Sequence, residues 1–157
     1  GVDELTFAIY FWNEATSSWT RISTSVVDPT MNTVSATVQH FTLFAIFGTT
    51  PATSLSGVII VPNPFVPNDA TVDNGVPWTS GDENSGIGFR NLTDIVTIEI
   101  YNIAGRRVST IRASGTRGGV RWDAKNDANL DVASGVYIAV IRSSTGEQVI
   151  RRFMVVR

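Results

Sequence analysis

Leu5, Phe7, Ile9 and Phe11 alternate with Thr6, Ala8, Tyr10 and Trp12, a period of two that predicts a strand with aromatic side chains on both faces. Such a strand is expected to be covered on both sides. Turn residues from Asn13 to Ser18 lead to Trp19, Arg21 and Ile22, and Asp28-Pro29 marks a second turn. Val34, Ala36 and Val38 then alternate towards an apolar strand from Phe41 to Phe47, so about four strands are expected in this first segment. Residues 48–57 are rich in Thr, Ser, Pro and Gly, a composition that favours an extended connection and predicts a linker.

Beyond it the strand-length apolar stretches come at short intervals with turn residues between them: Val58–Val61, Ile87–Asn91, Ile95–Asn102, Arg106–Arg112, Gly119–Asp123, Gly135–Ser143 and Gln148–Val156. Nothing in this block repeats at helical spacing. Val96, Ile98 and Ile100 point one way and Thr97, Glu99 and Tyr101 the other, which predicts one buried and one wetter face; Ala104-Gly105 supplies the tight turn that follows. Pro62 and Pro64 cannot donate ladder hydrogen bonds, so the first of these strands ends near Val61 and frees Phe65 to tuck under a sheet. The predicted fold is all-β: a partial N-terminal β-sandwich over residues 1–47, a linker over 48–57, and a seven-stranded β-sandwich over 58–157.

Four motifs in order carry a resemblance: Val61-Pro62-Asn63-Pro64-Phe65, then Ile98 to Val108 with its Tyr101-Asn102-Ile103-Ala104-Gly105 centre, then Trp122-Asp123-Ala124-Lys125-Asn126-Asp127, then Val132-Ala133-Ser134-Gly135-Val136-Tyr137. Together they make residues 58–157 resemble the immunoglobulin-like domain family named after the flagellar hook-capping protein FlgD, a pattern shared by the C-terminal sorting domains of type IX secretion substrates. The resemblance implies an Ig-like sandwich at the end of a larger exported bacterial protein, recognised by secretion machinery or serving as a structural module, without catalysis. The chain departs from the sorting domains by an acidic insertion from Asn68 to Ser85 and a long Lys125–Ser134 connection closer to the FlgD-like form. Residues 1–48, with Trp19, the Asp28 turn and His40-Phe41-Thr42-Leu43-Phe44, resemble the closing strands of a β module found before such domains in large bacterial surface proteins.

At 43% hydrophobic and 17% charged residues, the composition is that of a packed globular chain rather than a disordered one. The apolar runs Phe7–Trp12 and Leu43–Phe47 fall short of the roughly 18 to 20 residues of a membrane helix, so no span is expected. The sequence begins at Gly1 without a charged and then apolar leader, which reads as a mature product or a fragment. Cysteine is absent; disulfides and thiolate metal sites are therefore excluded, and the core alone must hold the fold. The net charge of −2 is unevenly laid out. Residues 66–94 carry five acids against Arg90, and residues 99–157 carry ten Lys or Arg against five acids. Because those arginines mostly alternate with apolar residues along strands, no nucleic-acid footprint emerges.

Candidate chemistry is sparse. His40, the single histidine, opens a His-Phe-Thr sequence that resembles His-Phe-Ser self-cleavage sites, in which the Thr42 hydroxyl would attack the Phe41-Thr42 bond with His40 assisting. The ordinary alternative is a strand residue beside a core Phe. One His and no Cys exclude the usual zinc sets and leave only oxygen ligands, of the kind calcium takes. Asp123, Asp127, Asn129 and Asp131 alternate but lack the central Gly and terminal Glu of an EF-hand, and read as a polar hairpin loop. Asp69, Asp73, Asp82 and Glu83 read as a solvated insertion. Within that insertion Trp78 is the best binding candidate, either stacking on a sugar ring or a partner surface or folding back to cap its loop. No catalytic, cofactor-binding or metal residue is assigned, and no cofactor is expected.

The first segment's aromatics, Phe7, Phe11, Trp12, Trp19, Phe41, Phe44 and Phe47, exceed what four strands can enclose without exposing an edge or an apolar face, and Phe7, Ile9, Phe11 and Trp12 are the candidate interaction residues of this segment. Upstream sequence, the C-terminal domain, or a strand from another copy would cover them. The expected function is a non-enzymatic structural or interaction module of a secreted or cell-surface protein. Its C-terminal domain serves sorting or anchoring, or the chain self-assembles into an extracellular filament by strand pairing. The alternative is a carbohydrate-binding accessory module using Trp78.

Overall fold

A computed structural model of the chain describes residues 4–15, 17–48, 50–69, 72–80 and 85–157. The chain divides into two compact units, Gly1–Thr50 and Pro51–Arg157. Among the described residues, all regular structure beyond two short 3-10 turns, Glu4–Thr6 and Val72–Asn74, is β-strand, so the fold is all-β.

The first unit contains β1 (Ala8–Asn13), β2 (Ser18–Arg21), β3 (Val26–Asp28), β4 (Thr33–Ser35) and β5 (Phe44–Phe47). A three-stranded antiparallel sheet runs β2-β1-β5, and β3 and β4 form a separate hairpin. The Asp28 carboxylate builds the hairpin turn by accepting the amides of Thr30 and Met31, the local bonding that makes Asp a turn former. Five strands therefore stand where about four were expected. The difference is local: the Val34 strand stops at Ser35, Ala36 to Leu43 lie outside any strand, and Phe41 is 95% exposed.

Strand β1 does carry apolar side chains on both faces. On one face Tyr10, Trp12, Trp19 and Phe47 meet edge to face, with centroids 5.1 to 5.5 Å apart, the geometry that the ring quadrupole favours. On the other, Ile9 lies opposite Ile46 and Phe11 opposite Phe44. Yet Ala8 is the single fully enclosed hydrophobic residue among this unit's described residues. Neither face is fully covered within the unit.

The second unit has β6 (Ile59–Val61), β7 (Ile87–Arg90), β8 (Val96–Asn102), β9 (Arg107–Ala113), β10 (Gly119–Trp122), β11 (Gly135–Ser143) and β12 (Gln148–Val155). They form a β-sandwich of a three-stranded sheet, β10-β7-β6, and a four-stranded sheet, β12-β11-β8-β9. All strand pairings are antiparallel. Alternation on β8 and β11 buries Val96, Ile98, Ile100, Tyr137, Ala139 and Ile141, as the period of two requires. Trp122 and Tyr137 pack against Phe153 at 5.9 and 5.8 Å. Their polar ends stay bonded, the indole to the Lys125 carbonyl at 2.8 Å and the phenol to that of Ala133 at 2.7 Å. The turn after β8 closes as its sequence predicts: Asn102 accepts the Ala104 and Arg106 amides through Oδ1, and Gly105 adopts φ +76°.

Residues 51–57, expected to be part of an extended linker, belong to this unit. Leu55 is wholly buried in its core, and the Glu147 carboxylate accepts the Leu55 amide and the Ser54 hydroxyl. One apolar residue in a Ser/Thr/Pro-rich stretch, held from β12's own hairpin, turns a connection into a docked segment.

Candidate interaction surfaces

The four-stranded sheet has two outer edges, and both are guarded. Along β12, Asn63 accepts the Met154 amide at 3.0 Å and donates to the Arg152 carbonyl at 3.4 Å. Phe65 then donates its amide to Met154 O and accepts that of Val156. The Asn-Pro-Phe segment is thus a short cover strand as well as an anchor: Phe65 is 1% exposed. Further along, the Arg151 guanidinium bonds the carbonyls of Ser56, Val58 and Ile150. Along β9, Asp127 donates its amide to Val108 O and accepts that of Thr110 at Oδ1, 3.0 Å. These contacts occupy the edge groups that would otherwise pair with another chain.

The outward side of this sheet is different in kind. Register places its side chains in rows: Arg112, Thr97, Arg142 and Gln148; then Thr110, Glu99, Val140 and Ile150; then Arg107, Tyr101, Ile138 and Arg152; and finally Val136 beside Met154. An apolar centre is framed by four arginines. Ile150 and Met154 are 56% and 42% exposed. Glu99 is the face's one acid; it bonds Arg142 and lies 3.6 Å from Arg107. That hydrogen bond, together with both positive charges, outweighs partial burial and holds the Glu99 carboxyl below its ordinary pKa. Arg112 and Arg152 have no carboxylate partner among the described residues.

In the first unit an open apolar groove of about 590 Å³ is lined by Ile9, Ala36, Val38, Phe44, Ala45 and Ile46. Of the residues singled out in the sequence, Ile9 and Phe11 share this face, and Trp12 lies on the opposite one. Phe7 precedes β1 and is partly buried. Trp78 belongs to the other unit, 40% exposed, with its Cε3 edge so close to Gly86 that a Cβ there would come within 2.9 Å. It rests on its own loop and keeps part of the ring open. The sequence did not reveal the arginine-framed face, because its rows exist only once β9, β8, β11 and β12 are in register; the alternating arginines of 106–152 were its sole trace.

His40 lies in a bend, exposed, with its ring 5.6 Å from that of Phe11. Thr42 donates its hydroxyl to the Trp12 carbonyl at 3.4 Å, and the partner that His40 meets is the Phe11 ring, not the Thr42 hydroxyl. The carboxylates of 123–131 are engaged in structure: Asp123 caps the Lys125 amide, Asp127 guards β9, and Asp131 pairs with Arg157 at 3.2 Å. Asp69 accepts the Asn74 side-chain amide, and Asp82 and Glu83 lie outside the described residues. Among the described residues no group of three or more His, Cys, Asp or Glu is placed to hold a metal, and no helix is long and apolar enough to cross a membrane.

No family model matches the chain, and no curated protein matches it. Among solved structures it is similar to PorZ, described as an essential bacterial surface component of the type-IX secretion system of Porphyromonas gingivalis. The identity is 24% and the TM-score 0.51, over 73% of this chain and 14% of that one. A second match is dimeric latent PorU from the same organism, at 21% identity and TM-score 0.38 over 73% of this chain and 11% of that one. The chain thus spans a small part of either protein, and the PorZ likeness is one of fold.

Proposed function

We propose that the chain is a non-enzymatic module of a secreted or cell-surface bacterial protein. The second unit acts as a sorting or anchoring domain addressed by type IX secretion machinery, and the first joins copies into an extracellular filament by strand pairing. The observation that carries this reading is the contrast between the units. One has a closed core and a four-stranded sheet with both edges guarded, suited to standing as an independent domain. The other offers an aromatic sheet that neither of its own faces covers. The ordered motifs of residues 61–137 and the fold likeness to a surface component of that system support the secretion setting.

Two measurements test it. Residues 51–157 fused to a secreted reporter should reach the surface of a bacterium carrying the type IX system, and removing 148–157 should abolish delivery; a reporter retained in both cases overturns sorting. Light scattering and negative-stain microscopy of the full chain should show filaments that disappear when residues 1–16 are deleted, whereas a monomer in both overturns strand pairing. A carbohydrate-binding reading is favoured only by the open part of the Trp78 ring. On glycan arrays it requires binding that Trp78→Ala removes.

A further inference from the structure

In the first unit the phase of the hydrogen bonds decides which backbone groups are open. Trp12 donates its amide to Leu43 O, and Ile22 donates its own to Ile9 O, both at 2.9 Å. These bonds continue the registers of β1 with β5 and with β2, and hydrogen-bonded pairs alternate along an antiparallel ladder. Leu43, Ala45 and Phe47 therefore face β1, while Phe44 and Ile46 turn both backbone groups to the outer edge of β5. Because β5 pairs with β1 alone, those groups have no partner strand among the described residues. By the same phase β2 turns Trp19 and Arg21 outward, so its edge carries a charge of the kind that opposes pairing. Strand β5 carries none, and no Asp, Glu, Lys or Arg stands between Asp28 and Asp69. We propose that β5 is the pairing edge and that its occupant is β5 of a second copy, antiparallel across a two-fold axis centred on Ala45. This rests on the reading that the chain assembles by strand pairing, and it adds the edge, the partner strand and the register.

The groove fits a strand laid along this edge. Phe44 and Ile46 line it together with Ile9. Ala45 lines it too, although the period of two puts its side chain on the Tyr10 face, so the groove runs against the backbone of β5. An apolar recess beside open N–H and C=O groups is the geometry of strand addition. In the proposed register β5 is complementary to itself. Phe44 of each copy meets Ile46 of the other and exchanges both backbone bonds with it, which satisfies every outward group of the strand. The same pairing sets an aromatic beside a β-branched side chain on the groove face, covering Phe44 and Ile46, which are 38% and 58% exposed. At the axis Ala45 lies opposite its own counterpart in a non-hydrogen-bonded pair, where Cα atoms approach to about 4.5 Å; the small side chain permits this. The product is one continuous sheet in the order β2-β1-β5-β5-β1-β2. Such a contact is isologous and closes as a dimer, which leaves the β2 edges for growth into a filament. One strand pair is a small interface, so association in the micromolar range or weaker is expected.

The chain has no cysteine, so a single introduced thiol reports the register in the full chain. Under air oxidation Ala45→Cys should give a disulfide-linked dimer, because the two Cα atoms lie within the roughly 4.4–6.8 Å that a disulfide spans. Ile46→Cys should cross-link at least about tenfold more slowly, since its counterpart lies on the diagonal, beyond that reach. Ile46→Pro deletes an amide that no strand of the chain uses, a change that an edge tolerates, and circular dichroism checks that the variant remains folded. In sedimentation equilibrium from about 1 µM to about 1 mM, the wild-type chain should pass from monomer to dimer before any larger species, and Ile46→Pro should dimerise at least about tenfold more weakly. If Ile46→Pro fails to fold, the two thiol rates decide alone. Assembly that a folded Ile46→Pro leaves unchanged, or in which Ile46→Cys cross-links as fast as Ala45→Cys, overturns this inference. Where deleting residues 1–16 still abolishes that assembly, strand pairing through another edge stands. Wild-type chain monomeric at every concentration overturns both.

Discussion

Phe65 reaches the core of the second unit across a backbone that leaves no room for a side chain: a Cβ on Gly75, at φ +96°, would lie 2.6 Å from both the Phe65 ring and Pro62. Gly75→Ala is therefore strained in conformation and in space, and should lower the urea midpoint of the second unit and expose Phe65. Phe65→Ala itself should cost about 3–5 kcal/mol in urea unfolding. Glu99 supplies a pH dependence with a definite sign. Its folded pKa is lowered, chiefly by the hydrogen bond from Arg142, so the stabilisation it gives is present above its unfolded value and is lost as pH falls through the lower folded value. Replacing it by Gln should flatten the acid limb of thermal stability below about pH 4.5; an unchanged limb would show that Glu99 has no part in it. Burial raises the Tyr137 pKa, which places its contribution at the alkaline end, full below its unfolded pKa and lost as pH rises through the folded one.

At the scale of elements, the edges separate protection from exposure. Asp127 guards β9 through two backbone bonds, one of them charge-assisted at Thr110. Asp127→Ala should cost about 1.5–3 kcal/mol and, by baring the strand, give light scattering that rises with concentration in the isolated second unit. The seven strands of that unit were legible because their alternation is long and their turn residues are unambiguous; Gly135–Ser143 agrees at both ends. In the first segment Ala36 and Val38 continue the alternating pattern but find no partner strand, and line the groove instead. A strand needs a neighbour to bond, and alternation alone does not provide one.

For the whole molecule, the two units differ in how much they enclose. The second buries three phenylalanines, Trp122, Tyr137 and a continuous aliphatic layer; the first encloses Ala8 and leaves Leu43, Ile46 and Phe47 exposed. Calorimetry of the full chain at low concentration should therefore show two transitions, the weaker from the first unit, with limited proteolysis leaving a resistant fragment that begins near Pro51. Self-association should raise the first transition with protein concentration, since a contact made only by folded chains stabilises by mass action. A single concentration-independent transition would contradict both the division and the assembly.

The amino-acid sequence by itself determined the all-β class, the seven strands of the second unit and the anchoring of Phe65, because alternation, proline and turn chemistry act through near neighbours along the chain. It also held the excess of aromatics in the first segment. Only tertiary structure decided that Leu55 is a core residue, that Asn63 and Asp127 close two sheet edges, and that arginines from four strands frame one apolar face. Those facts depend on register and on contacts between residues as much as 92 positions apart, as Leu55 and Glu147 are, and no local pattern encodes them.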